Sequence, residues 1–214
     1  MKVTFLAASA AALCLAAPGL AAAQGVPAKG DLIVTLRATS VSSPADDAIT
    51  TAGGAATGLH VDVGDDVMPT LGFTYFLTDK VAVEAILGAT QHEIRPKGPA
   101  TDIAAHETWV LPPVVTVQYR PLSSGNFSPY VGAGVNAMVF FSGKDKNGFQ
   151  VDLDNALGLA LQAGADVAIN EQWFLNADVK KVFVKTDAQI NGGALKSKVE
   201  LDPWVVSVGL GRRF

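Results

Sequence analysis

Cysteine is nearly absent. Of 214 residues only Cys14 is one, and it sits in an apolar opening segment. The chain beyond it has no thiol, which excludes disulfides and cysteine-held metals there. Histidine is almost as scarce. His60, His92 and His106 each fall in a polar, turn-rich stretch and read as solvated loop residues. Hydrolytic or acyl-transfer chemistry needs a His beside a nucleophile or carboxylate. Only His106-Glu107 approaches that, with no inward Ser evident nearby, so no enzymatic activity, metal or cofactor is expected. A basic excess is missing: 16 Lys and Arg face 20 Asp and Glu. Nucleic acid is therefore not an expected partner. No phosphate-cradling glycine loop occurs; Gly132-Ala133-Gly134 lies inside an alternating segment. Long apolar runs are also lacking. Past the opening segment none reaches the roughly 18 residues of a membrane helix. The richest, Ala156–Ile169, is interrupted by Gln162 and Asp166. Yet 49% of the chain is hydrophobic. That leaves a dense soluble core or a membrane β-barrel.

The opening segment has its own pattern. Lys2 precedes the apolar run Val3–Ala17, then Pro18-Gly19 and Ala21-Ala22-Ala23. A basic start, an apolar middle and small residues at the end make a secretory signal peptide. Residues 1–23 are expected to be removed, leaving 24–214 as one domain. Leu13 before Cys14 argues against a lipoprotein. Loss of Lys2 takes the formal charge from −4 to −5.

What the chain does have is alternation with a period of two. The last stretch is the clearest anchor. Trp204, Val206, Val208, Leu210 and Phe214 share one face; Val205, Ser207, Gly209, Gly211 and Arg213 share the other. This is a strand with one apolar side, and it runs flush to the chain end. Termini fray unless tied down; a closed barrel ties its last strand to its first. Seven more strands read similarly: about 31–41, 67–76, 81–91, 107–120, 129–141, 155–169 and 173–186. The intervals 42–66, 92–106, 142–154 and 187–197 read as long loops, with Val151 in the third, where Arg is expected to cost little. The other connections are short. Long and short connections alternate strictly, as in outer-membrane barrels with short periplasmic turns. The fold expected is all-β: an eight-stranded antiparallel transmembrane up-and-down barrel, both termini periplasmic. Outward aromatics form two girdles, Tyr75, Tyr119, Trp173 and Phe214 below and Trp109, Phe141, Phe183 and Trp204 above.

The inward residues sort by depth. Met68, Val110, Pro112, Val114, Met138, Phe140, Val182, Val184, Leu201, Pro203 and Val205 make an apolar mouth. Arg37, Glu84, Gln118, Arg120, Asp166, Asp178, Lys180 and Arg213 make a polar base of both signs, expected to pair internally because unpaired buried charge is costly. An eight-stranded lumen is just filled by side chains, so a water-filled pore is not expected. Pro69, Pro112, Pro113 and Pro203 sit inside strands and remove ladder donors. They mark either frayed strand ends or a lateral gate in the wall.

The stretches LPPVVTVQY (Leu111–Tyr119), SPYVGAGVNAMVFF (Ser128–Phe141) and LDPWVVSVGLGRRF (Leu201–Phe214) resemble the signatures of the OmpW family of small outer-membrane barrels. AlkL-type uptake proteins are relatives of that family. Arg212 departs from the family ending, which usually has an aromatic residue there. The resemblance implies location in a Gram-negative-type outer membrane and contact with its lipid. It also implies assembly by the barrel-assembly machinery through the strand ending in Phe214. The function it implies is passive uptake of small hydrophobic compounds through a narrow channel. A structural or surface-interaction barrel, adhesin- or receptor-like, is the alternative.

Overall fold

The computed structural model describes residues 26–122 and 126–214; the expected signal peptide, 1–23, lies outside the described residues. Sixteen strands follow one another: β1 (Leu32–Ser42), β2 (Ala48–Thr51), β3 (Ala56–Val63), β4 (Asp66–Phe76), β5 (Val81–Leu87), β6 (Thr90–Gly98), β7 (Thr101–Asp102), β8 (His106–Leu111), β9 (Val114–Tyr119), β10 (Phe127–Asp145), β11 (Val151–Leu153), β12 (Ala156–Ala168), β13 (Trp173–Phe183), β14 (Lys185–Ile190), β15 (Leu195–Glu200) and β16 (Trp204–Arg213). Eight of them, β1, β4, β5, β9, β10, β12, β13 and β16, close a ring of antiparallel neighbours. The closing pair is β16 on β1, from Ile33↔Arg213 to Ser42↔Trp204. Closure leaves no edge in this ring, the condition for a sheet to span lipid.

Alternation decides which side chains meet lipid. Along β1, Thr35, Arg37 and Thr39 are buried while Leu36 is exposed; along β12, Leu157, Leu159 and Leu161 are exposed. Both expected girdles stand on the outer wall. Arg212, in place of an aromatic, lays its guanidinium over Trp173 (5.6 Å) and Phe214 (5.0 Å) at the lower rim. Because Leu161 is 54% exposed on that wall, Leu161→Arg is expected to destabilise the barrel in lipid by about 2–4 kcal/mol. Gln150→Arg, at an exposed position outside the ring, is expected to change it little. Denaturant titration of both variants in vesicles checks this.

The other strands correct the expected loops. All four long intervals contain paired strands, and these extend the wall upward. The hairpin β13–β16 shows how. Lys181↔Trp204 and Lys185↔Glu200 share one register, joined by Val182 N–H to Pro203 O (3.1 Å) and Leu201 N–H to Val184 O (3.1 Å). Thr186, Ala188 and Ile190 turn inward while Lys185, Asp187 and Gln189 are exposed, so the period of two never stops. Polar outer faces disguise these strands as loops, because above the bilayer they meet water. Val151, expected in a loop tolerant of Arg, is buried with Ile49, Val61, Ile190 and Val199 in the core of this extension.

Candidate functional site

The lumen is layered. At the lower end, where β1 begins and β16 ends, Ile33, Phe76, Ala82, Ala168 and Phe174 pack into an apolar plug. Above it lies the polar base. Arg37 Nη2 donates to Glu84 Oε1 (2.6 Å) and Arg37 Nε to Asn176 Oδ1 (2.6 Å). Lys180 pairs with Asp178 and stands 3.5 Å from Glu84 Oε2. Arg120 Nη1 donates to Asp166 Oδ2 (2.6 Å) and Nη2 to Gln118 Oε1 (2.9 Å). Its guanidinium also covers the rings of Tyr130 (4.5 Å) and Phe76 (4.9 Å). Three cations thus face three carboxylates, all buried.

Glycine makes the room. A Cβ on Gly72 would stand 2.2 Å from Arg37 Nη1, and one on Gly164 would stand 2.6 Å from the Tyr130 ring.

Sequence reasoning missed two members of this layer. Gln162 Nε2 donates to both Glu84 Oε2 (2.6 Å) and Asp178 Oδ2 (2.6 Å), and Gln162 Oε1 accepts from Thr116 (2.7 Å). Tyr130 donates to Asp178 Oδ2 (2.9 Å) and accepts from Asn176 (3.0 Å). The signal was available: Tyr130 has the parity of the inward Gly132, Gly134 and Asn136. Arg213, expected in this layer, is not in it. It sits beside the plug at the rim, partnered by Asp31 (3.5 Å) and Val26 O (3.2 Å). At its register level the lumen is filled by Ile33, so the guanidinium stays where an acid and water reach it.

Above the base, Thr39 bonds Thr70 (2.7 Å) and Ser207 (3.0 Å), and the lumen then opens. The cavity is narrow, with a volume of about 80 Å³. Met68, Val110, Pro112, Val114, Met138, Phe140, Val182, Leu201, Pro203 and Val205 all line it. Val184 does not; it is buried in the surrounding core. The extension strands add Val61, Val63, Ile94, Leu153, Ala188 and Val199 to the lining, so the cavity rises above the eight-strand ring.

The four prolines are not equivalent. Across Pro112-Pro113 the register is unbroken on both sides: Ile86↔Val114 continues as Thr90↔Val110, and Asn136↔Val114 as Val139↔Leu111. Pro203 shifts no register, but on its β1 side the rungs stop at Ser42↔Trp204 and resume only at Thr50↔Lys196, so 43–49 and 197–203 also stand without rungs. Pro69 is different. β4 pairs with β5 only from Leu71↔Leu87 downward, and pairing resumes above at Val63↔Ile94 between β3 and β6. Between these rungs, residues 64–70 stand against 88–93. The bonds there lie at the top, Gly64 N–H to Glu93 O (3.1 Å) and Gln91 N–H to Asp66 Oδ2 (2.8 Å). Val67–Thr70 have no register partner on this side. Met68, Thr70, Gly88 and Thr90 line the cavity, so it reaches this window from within.

Two of the three histidines correct their reading as solvated. His106 is buried, with Nδ1 2.8 Å from Asp145 Oδ1. Asp145 also accepts from Val151 N–H (3.0 Å); that amide, then His106, holds its carboxyl below the usual carboxylate range. His92 is buried and lines the cavity. His60 is exposed, as expected.

Comparison with known proteins agrees with this architecture. The model of the OmpW family matches residues 28–214. The chain is 39% identical over 161 residues to the uncharacterized outer-membrane protein y4mB of Sinorhizobium fredii, covering 73% of this chain and 70% of that one. It is 32% identical over 179 residues to the dibenzothiophene metabolism operon protein PahQ of Pseudomonas aeruginosa, covering 82% and 85%. The crystal structure of the outer membrane protein OprG from Pseudomonas aeruginosa superposes with a TM-score of 0.83 at 31% identity, covering 90% of this chain and 99% of that one.

Proposed function

The chain belongs to the OmpW family of outer-membrane barrels, and from that premise we propose that it passes small hydrophobic compounds inward by a sideways route. In this reading residues 1–23 direct export, 24–214 form the barrel, and the assembly machinery receives the strand ending in Phe214. The carrying observation is an apolar cavity that is closed below by paired charges and reaches a wall segment without a ladder. A solute entering from above leaves water, gaining about 0.8 kcal/mol for each CH₂ buried. Descent to the periplasm would require breaking the Arg37–Glu84 and Lys180–Asp178 pairs, whose separation leaves buried charge uncompensated. In this reading the exit is the wall beside Pro69, where no ladder ties 64–70 to 88–93 and Val67 and Pro69 face lipid. PahQ, by its name, belongs to an operon for an apolar sulfur heterocycle, which supports the same cargo class.

Cells producing the protein are expected to take up a labelled alkane faster than cells without it. Val205→Asp, which places a charge on the cavity lining, is expected to slow that uptake several-fold while the barrel stays folded. Uptake no faster than without the protein would overturn the proposal and leave a structural or surface-interaction barrel in its place.

A further inference from the structure

The floor of the cavity carries polar groups, among them Thr39, Thr70, Asn136, Lys180 and Ser207; beside the unladdered interval the polar lining is one stripe. On β6 and β8, Thr90, His92 and Thr108 turn inward, and His92 and Thr108 are direct register partners. Thr108 bonds only backbone carbonyls, Trp109 O at 3.3 Å and Phe141 O at 3.4 Å; Thr90 bonds Val110 O at 3.4 Å. These hydroxyls donate back to their own sheet at long range.

His92 differs. Its Nδ1 lies 2.7 Å from Gly64 O. A carbonyl oxygen only accepts, so Nδ1 carries the proton, and in the neutral ring Nε2 is then an acceptor. Among the described residues Nε2 has no hydrogen-bond partner, and the small part of His92 left exposed, 9%, belongs to a residue lining the cavity. The Gly64 contact also fixes the ring at the upper margin of the window, next to Gln91, whose N–H is held by Asp66. On the route proposed above, a solute passes beside this ring.

We infer that His92 selects, within the cargo class proposed above on which this inference rests, apolar molecules that carry one hydroxyl or N–H donor. A pure hydrocarbon covers Nε2 without replacing its bond to water, whereas an aromatic or aliphatic alcohol donates to it. The cost of leaving a polar group unpaired is what makes such a site discriminate.

The test uses the full mature chain refolded in lipid nanodiscs at pH 8, with naphthalene and 2-naphthol as probes. Binding is read by probe fluorescence against empty discs. The parent is expected to bind 2-naphthol about tenfold more tightly than naphthalene. In His92→Phe that preference is expected to vanish through loss of 2-naphthol affinity, with naphthalene held within about twofold. His92→Gln retains an acceptor and is expected to retain the preference. In the parent, the ¹⁵N resonance of His92 Nε2 is expected to move with 2-naphthol and not with naphthalene, a readout independent of whether any variant folds. Equal binding of both probes by the parent, an unmoved Nε2 resonance, or a preference that survives in His92→Phe overturns the inference while the uptake reading stands. If neither probe binds above empty discs, both readings fall.

Discussion

Joining residue 69 to residue 89 is expected to reduce uptake of an apolar tracer to the level of cells without the protein. Extending the register Leu71↔Leu87 upward sets Pro69 opposite Ala89 on the lipid face, across the unladdered interval. The mature chain expected here contains no cysteine, so Pro69→Cys with Ala89→Cys offers two unique thiols for a short bismaleimide. The linker bars the window and leaves the mouth and cavity untouched. A control pair, Ala85→Cys with Val115→Cys, joins direct register partners of β5 and β9 on the lipid face. Stapling there bridges strands already in ladder and is expected to leave uptake unchanged. Each single cysteine capped with N-ethylmaleimide is expected to keep most of the transport. Full uptake through the 69–89 staple would rule out the lateral exit. Loss with both staples would place the effect on the barrel as a whole.

The second large effect is expected at Glu84. This carboxylate is wholly buried and faces Arg37 and Lys180 together, with Gln162 and Thr74 completing its shell. Glu84→Leu leaves a guanidinium and shares an ammonium with nothing but Asp178. Removing one partner of a buried pair costs about 3–5 kcal/mol, whereas exchanging both for apolar residues is often close to neutral. Equilibrium refolding into vesicles is therefore expected to show a large loss for Glu84→Leu. Arg37→Leu with Glu84→Leu is expected to lie nearer the parent than Glu84→Leu alone. If the double variant is the worse by the sum of its parts, the two residues do not act as a pair.

The ring was legible because lipid enforces strict alternation on every spanning strand. Leu157, Leu159 and Leu161 could face only outward, and Lys180 and Asp178 only inward. Depth was legible as well: the mouth and base follow the order of residues along each strand. The failures have physical reasons. β14 and β15 carry lysines and acids where spanning strands carry leucines, since their outer face is wetted; polarity there signalled a loop while parity continued. Arg213 had the right parity but the wrong height, because Ile33, Phe76 and Phe174 fill the lumen beside it. His92 was hidden for a third reason. Its partner is a backbone carbonyl on β3–β4, about 28 positions away, and no side-chain pattern encodes that contact. The prolines illustrate the limit: four were visible in the sequence, but only register shows that three keep the alignment of the strands on either side and that Pro69 alone borders a one-residue shift of it.

The break has a property of its own. Between the rungs Leu71↔Leu87 and Val63↔Ile94, seven residues, 64–70, stand against six, 88–93. A ladder cannot be completed between unequal lengths without expelling one residue as a bulge, and Pro69 offers no N–H to a rung in any case. The missing rungs are therefore written into chain length rather than into motion: what closes this interval is side-chain packing, Met68 and Thr70 against Gly88, and not a backbone ladder. On the proposed route a solute would displace side chains and melt no ladder, so its flux would follow the concentration difference and partition into lipid without a threshold, and deleting one residue from 64–70 to let the ladder close is expected to abolish it.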